Sequence, residues 1–291
     1  MTDRFAPTCL SIDLEVGKKD GKIHEFAAAR GDTGAVFHCT GNELAARLDQ
    51  LTAFAEGASF LLCHNIVAFD LPILRAHFPS LPLLNLAVVD TLRLNPLCFP
   101  RNPYHHLIKH YQSGQLHCQQ KNDPVQDAKL VLELFREQHQ ALCKLVTTSP
   151  DLLTAWHGLL TREAQDSALN SFFITIRNQT RPDAVQTRVA MANFMSGLVC
   201  STRLRPLIED EFSKLDLAWP IAYALAWLSV SGGNSVVPPW VLHQFPDAAR
   251  LIAELRDQGC CDPACAWCGE HHNPLRVLKD GCVRKACWCL T

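Results

Sequence analysis

Three apolar runs separated only by turn residues constrain the fold of this chain more than any other feature. CLSIDLEV reads as a buried strand, GKKDGK turns the chain, and further strands follow near IHEFAAA and AVFHCT, each bounded by Gly or Asp. Strands joined so closely form an antiparallel meander. NELAARLDQLTAFAEG then changes the period: Leu44, Leu48, Leu51 and Phe54 take helical spacing, with Asn42 placed to cap and Gly57 to stop the helix. SFLLCHN gives a fourth strand, and the chain turns helical from Phe69. LPLLNLAVVDTL gives a fifth strand ending near Asp90, PYHHLIKHY a short helix, and a long helix runs from about Pro124 to Lys144. A meander followed by alternating helices and strands predicts an α/β domain, a mixed five-stranded sheet with helices on its faces.

A single core rarely grows through 291 residues, so more than one unit is expected. The sheet domain takes 1–147, a mainly helical domain 148–257 with the run AWPIAYALAWL, and a short Cys-rich segment 258–291. A charged fraction of 19% beside 48% hydrophobic residues excludes disorder over most of the length. No apolar run is long enough for a bilayer and no leader of secretory type is visible, so a soluble, cytoplasmic protein with no membrane partner is expected. A net charge of -2 supplies no basic field, so a nucleic-acid partner has to be captured by local patches or by bound metal ions.

The chemistry-bearing residues lie at element ends. Asp13 and Glu15 stand two apart in the first strand, which puts both carboxylates on one face and lets them share a metal ion. A solvated edge-strand face is the alternative. Asp70 follows the fourth strand, where sites in α/β sheets are built, although Leu71-Pro72 after it also suits a plain helix cap. Asp127 falls at the start of a helix whose Leu130, Val131 and Leu134 can pack on the sheet; an acid there also complements the helix dipole.

SIDLEV, HNIVAFD and NDPVQDA have the order and spacing of the three exonuclease motifs of the DnaQ-like, or DEDD, family, which about half the chain resembles. The resemblance implies a ribonuclease H-like sheet and two Mg2+ or Mn2+ ions bound by Asp13, Glu15, Asp70 and Asp127. It also implies removal of nucleotides from a 3′ end of DNA, with RNA left open. His64, Asn65 and Phe69 would border the substrate, Phe69 beside the terminal base or simply in the core. Tyr104, His105, His106 and Lys109 extend the resemblance after Asp90, the last three as phosphate contacts or as a solvated helix face. The chain departs from the family pattern at Asn122, where one subgroup has His, and at Asp123, where the other has Tyr. Asn cannot serve as a general base at neutral pH. His117 is a replacement base or an ordinary loop residue, and Val16 takes the place of a common Thr. A second class of function follows from Asn122: a catalytically weak nucleic-acid-binding or helicase-adaptor module.

Half of the 14 cysteines lie from Cys260 onward, and the others sit among apolar neighbours as reduced core thiols do. In CCDPACAWCGEHH, Cys261, Cys265, Cys268 and His272 can close a tetrahedral zinc shell, with Cys260 and His271 as competitors; an iron–sulfur cluster or no metal are the alternatives. The CxxxCxxC spacing also fits radical SAM enzymes, but no barrel follows it. LAWPIAYALAWL, GGNSVVPPWV and CDPACAWCGEHHNPL more weakly resemble the exonuclease-like N-terminal region of bacterial RecQ-type DNA helicases, implying a helicase-linked repair or defence role. No phosphate-binding GxxxxGK[ST] loop is present, so a motor would belong to a partner or to a further region of a longer protein. Cys282, Cys287 and Cys289 receive no assignment.

Overall fold

The computed structural model describes residues 7–17, 19–102, 104, 105, 107, 123–231, 240–256 and 264–270. Strands β1 (Cys9–Val16), β2 (Ile23–Arg30) and β3 (Val36–Thr40) form the expected meander. Helices α1 (Gly41–Leu44) and α2 (Leu48–Ala55) lead to β4 (Phe60–Cys63), α3 (Asp70–His77), β5 (Ala87–Asp90), α4 (Thr91–Cys98) and the long α5 (Pro124–Thr148). The sheet order is β3-β2-β1-β4-β5, with β1, β4 and β5 mutually parallel and β2 antiparallel to both its neighbours.

Strand alternation sorts the side chains of β1. Leu10, Ile12 and Leu14 enter an apolar layer with Phe26, Ala28, Phe37, Leu61 and Leu74. Ser11, Asp13 and Glu15 take the opposite face, where Ala29, Ala27 and Glu25 are their partners on β2. Phe60, the partner of Cys9, meets Phe135 of α5 at 6.0 Å, so α5 covers that second face. The two alanines leave room for it.

Helix α5 presents Ala128, Val131, Leu132, Phe135 and Leu142 at helical spacing, all buried. The helix runs four residues beyond the expected Lys144. Thr40, rather than Asn42, opens the first helix, through a capping box with Glu43. Gly57 has the positive φ expected of a helix stop. Tyr104, His105 and Leu107 are not helical, against the helix expected over PYHHLIKHY; its other residues lie outside those described.

Two compact units result. The first combines Met1–Lys144 with Glu163–Gln179, and the second combines Leu145–Arg162 with Thr180–Thr291. After α5 the chain gives α6 (Pro150–Leu160) to the second unit and returns α7 (Ser167–Arg177) to the first. There Phe172 stacks on Phe135 at 4.7 Å, a pairing that sequence adjacency did not announce.

The second unit continues with α8 (Ala184–Met195), α9 (Ser201–Pro206), α10 (Ala218–Leu228), α11 (Pro246–Arg256) and the five-residue α12 (Ala266–Glu270). Helix α10 is apolar on all sides and almost wholly buried, as a central core helix should be. The Trp156 indole of α6 donates to the Ala222 carbonyl of α10 at 3.0 Å. A Cβ at Gly158 would overlap the Thr187 hydroxyl, so α6 and α8 close up only over glycine. No helix among the described residues is long and apolar enough to cross a membrane.

Candidate metal centre

Three of the four expected carboxylates converge. Asp13, Glu15 and Asp127 each bring an oxygen to within 4.8 Å of the others. The ladder between β1 and β4 ends at Ser11 and Leu62, so Asp13 and Glu15 extend past it. A register shift between Glu15 and Val16 ends the regular pairing with β2, the kind of bulge that re-aims side chains beside a site. Asp127 is fixed by the start of α5. Asp123 accepts the backbone N–H groups of Val125 and Gln126 at 3.0 and 3.3 Å, with Pro124 in the first helical turn. Asp123 is therefore a helix cap here.

Asp70 stands beside this trio rather than within it. It opens α3 and is buried, accepting the Cys63 S–H at 3.1 Å on Oδ2 and the Leu14 backbone N–H. Burial raises its carboxyl to about 6, against the pull of those donors and of its own amide. Burial likewise pushes the Cys63 thiol up, and the charges of Asp70 and then Asp13 push in the same direction. Through Leu14, Asp70 is tied to the strand that carries Asp13 and Glu15, and through Cys63 to β4.

Asp90 organises the loop between β4 and α3. Its carboxylate accepts backbone N–H groups of Asn65 at 2.9 Å, Val67 at 3.3 Å and Leu92 at 2.9 Å, capping α4 as well. Burial raises its pKa while the three amides lower it. Asn65 takes a left-handed φ of 75°, a conformation tolerated by Asn, and the Asp90 contacts hold it there. Gln138 of α5 donates to the Thr91 carbonyl at 2.9 Å and to Asn95 Oδ1 at 3.1 Å, connecting this loop support to the helix that bears Asp127.

Asp90→Ala is expected to cost about 2–4 kcal/mol, because buried N–H groups lose their acceptor and a cap disappears. Urea unfolding measures it; a loss under about 0.5 kcal/mol, the level of an ordinary surface change, would remove Asp90 from this role.

The expected substrate residues separate. Thr91 gives its one hydroxyl proton to the Cys63 carbonyl at 3.1 Å, so His64, 3.0 Å away, donates to Thr91 through Nδ1. His64 is thus held by the loop support. Asn65 is half-buried, and Phe69, one residue before Asp70, is exposed. His105 is fully buried, so it belongs to no solvated face. His106, Lys109, Asn122 and His117 lie outside the described residues, as do Cys261 and His272.

Of the expected zinc ligands, Cys265 and Cys268 come together with Cys200, which sequence reasoning had placed among the ordinary core thiols. No local spacing announces a ligand so far away in the chain. Oxygen-only donors at Asp13, Glu15 and Asp127 suit a hard divalent cation, whereas the three sulfurs suit a softer one. No protein-family model, no curated protein and no solved structure matches this chain.

Proposed function

We propose that the chain is a metal-dependent 3′–5′ exonuclease of DnaQ-like (DEDD) type, acting on single-stranded DNA ends. The observation that carries this reading is the convergence of Asp13, Glu15 and Asp127 on one site, with Asp70 tied to the same strand. The sheet order, with acids beyond the ladder of two adjacent parallel strands, supports a ribonuclease H-like architecture.

Asp13, Glu15 and Asp127 would hold Mg2+ or Mn2+, with Asp70 completing the set. Two such ions would offset charge on the attacking water, the scissile phosphate and the leaving 3′ oxygen. The protein's part is positional. The β1 backbone fixes two acids, the capped turn of α5 a third, and the Asp90-supported loop the fourth. Asn122, where one subgroup of that family carries His, has an amide that cannot take a proton from water. Exposed Phe69, next to Asp70, offers a face on which the terminal base stacks.

Shortening of an end-labelled oligonucleotide in Mn2+, from the labelled 5′ end's perspective one nucleotide at a time, is the expected result. Binding without any metal-dependent shortening would overturn the enzyme reading in favour of an adaptor module. Phe69→Ala is expected to weaken single-strand binding by about 1–3 kcal/mol, the range for loss of one stacked base. Fluorescence anisotropy in Ca2+, which permits binding without turnover, measures it; unchanged affinity removes Phe69 from the substrate path.

A further inference from the structure

The geometry points to a second, structural metal site in the helical unit, in which Cys200, Cys265 and Cys268 bind one zinc ion. The three Sγ atoms lie within 4.8 Å of one another, and all three cysteines are free of disulfides. Zn–S bonds of about 2.3 Å put tetrahedral thiolates about 3.8 Å apart, a spacing that sulfurs already within 4.8 Å of one another reach with little rearrangement. In a four-iron cluster each thiolate radiates from a different iron, which spreads the sulfurs; mutual proximity favours a single ion. Each thiol releases its proton to solvent as its sulfur takes the metal.

The surroundings are built for such a site. Cys200 precedes α9, and its N–H donates to the Leu255 carbonyl at 2.9 Å at the end of α11. Cys265 and Cys268 form a C-x-x-C pair around the start of α12. Trp267 packs with Cys200 and Cys268, and its indole donates to the Arg256 carbonyl at 3.3 Å. The half-buried Arg256 guanidinium lies over the Trp267 ring, 4.9 Å from its centroid. A cation removed from water needs compensation, and three thiolates around one Zn2+ leave a net negative charge close to it.

A five-residue helix has too few internal hydrogen bonds to persist alone. The ion would fasten α12 to the start of α9, joining chain segments that sequence reasoning had treated as separate domains. Three sulfurs leave one tetrahedral position of the ion open to a further donor.

The test is zinc content and zinc X-ray absorption of the full chain. About one zinc per chain is expected, with at least three sulfur neighbours. Cys200→Ser should weaken zinc binding by more than the roughly 10–100-fold that loss of an outer-shell partner costs, measured by chelator competition. Where that variant fails to fold, Cys200→His keeps the question open to decision: it should retain zinc with one sulfur neighbour replaced by nitrogen. A zinc-free wild type, an iron–sulfur chromophore, or an unchanged sulfur count in Cys200→His would overturn the assignment.

Discussion

Asp13→Asn is expected to lower metal-dependent exonuclease turnover by about a thousandfold or more, with the fold intact. The substitution keeps the shape of the side chain and removes one of three carboxylate charges that meet within 4.8 Å. Metal ions contribute several kcal/mol to stabilising transition-state charge, and each 1.36 kcal/mol is tenfold in rate, so losing an anionic ligand costs about three decades. Mn2+ affinity, read by isothermal titration, should fall in the same variant. Metal-free stability should not fall, because removing one of three clustered like charges relieves repulsion. Wild-type turnover in Asp13→Asn would sink the proposed function, since no other group on β1 replaces its charge at that position. Loss of turnover accompanied by unfolding would show only that the strand needs Asp13, and circular dichroism separates the two outcomes.

Asp70→Asn is expected to act in opposite directions on stability and on function. The folded protein holds the Asp70 proton to about 6, against 3.8 for the group in the unfolded chain, and burial is the main cause. The folded state therefore binds this proton more tightly. Ionised Asp70 destabilises the metal-free fold above about pH 6, the penalty shrinks as pH falls through that window, and it is gone below 3.8. A difference of this size is about 3 kcal/mol at neutral pH and above. Asn keeps an acceptor for the Cys63 S–H but turns an NH2 toward a backbone donor, which returns part of the gain. A net stabilisation of about 1–2 kcal/mol at pH 8 is the expectation.

Chemical unfolding in EDTA from pH 4 to pH 8 measures the difference between wild type and variant, which should grow with pH. Adding Mn2+ should reverse the order, because the cation stabilises the wild-type carboxylate by mass action and the amide gains little. A pH-independent difference, or a variant less stable than wild type at pH 8 without metal, would contradict the burial argument. Groups that weaken a fold until a ligand arrives are the groups that functional sites keep.

The period-two pattern of CLSIDLEV was enough to place Asp13 and Glu15 on one face, because strand geometry forces alternate side chains to the same side. The order of strands and helices likewise predicted a mixed five-stranded sheet. Asp127 in the first turn of a long helix was readable from Pro124 and the apolar spacing beyond it. Asp123 as the cap of that helix was not, because its side chain competes between several local roles until the backbone around it is fixed. Helix α7 lies within the 148–257 span expected as a helical domain, yet it packs in the first compact unit. Its apolar face specifies that it must be covered, not that Phe135 covers it.

What the sequence determined by itself is local: which segments are strands or helices, which way their side chains face, and which residue types are able to bind metal. Convergence belonged to the tertiary structure. Asp127 reaches Asp13 and Glu15 because α5 lies on the sheet face that Ala27 and Ala29 keep low, and Cys200 reaches Cys265 and Cys268 because α9 starts where α11 ends. The proton affinity of Asp70 was decided there too. It is set by burial and by the donors around a carboxyl, and neither exists until the chain has packed.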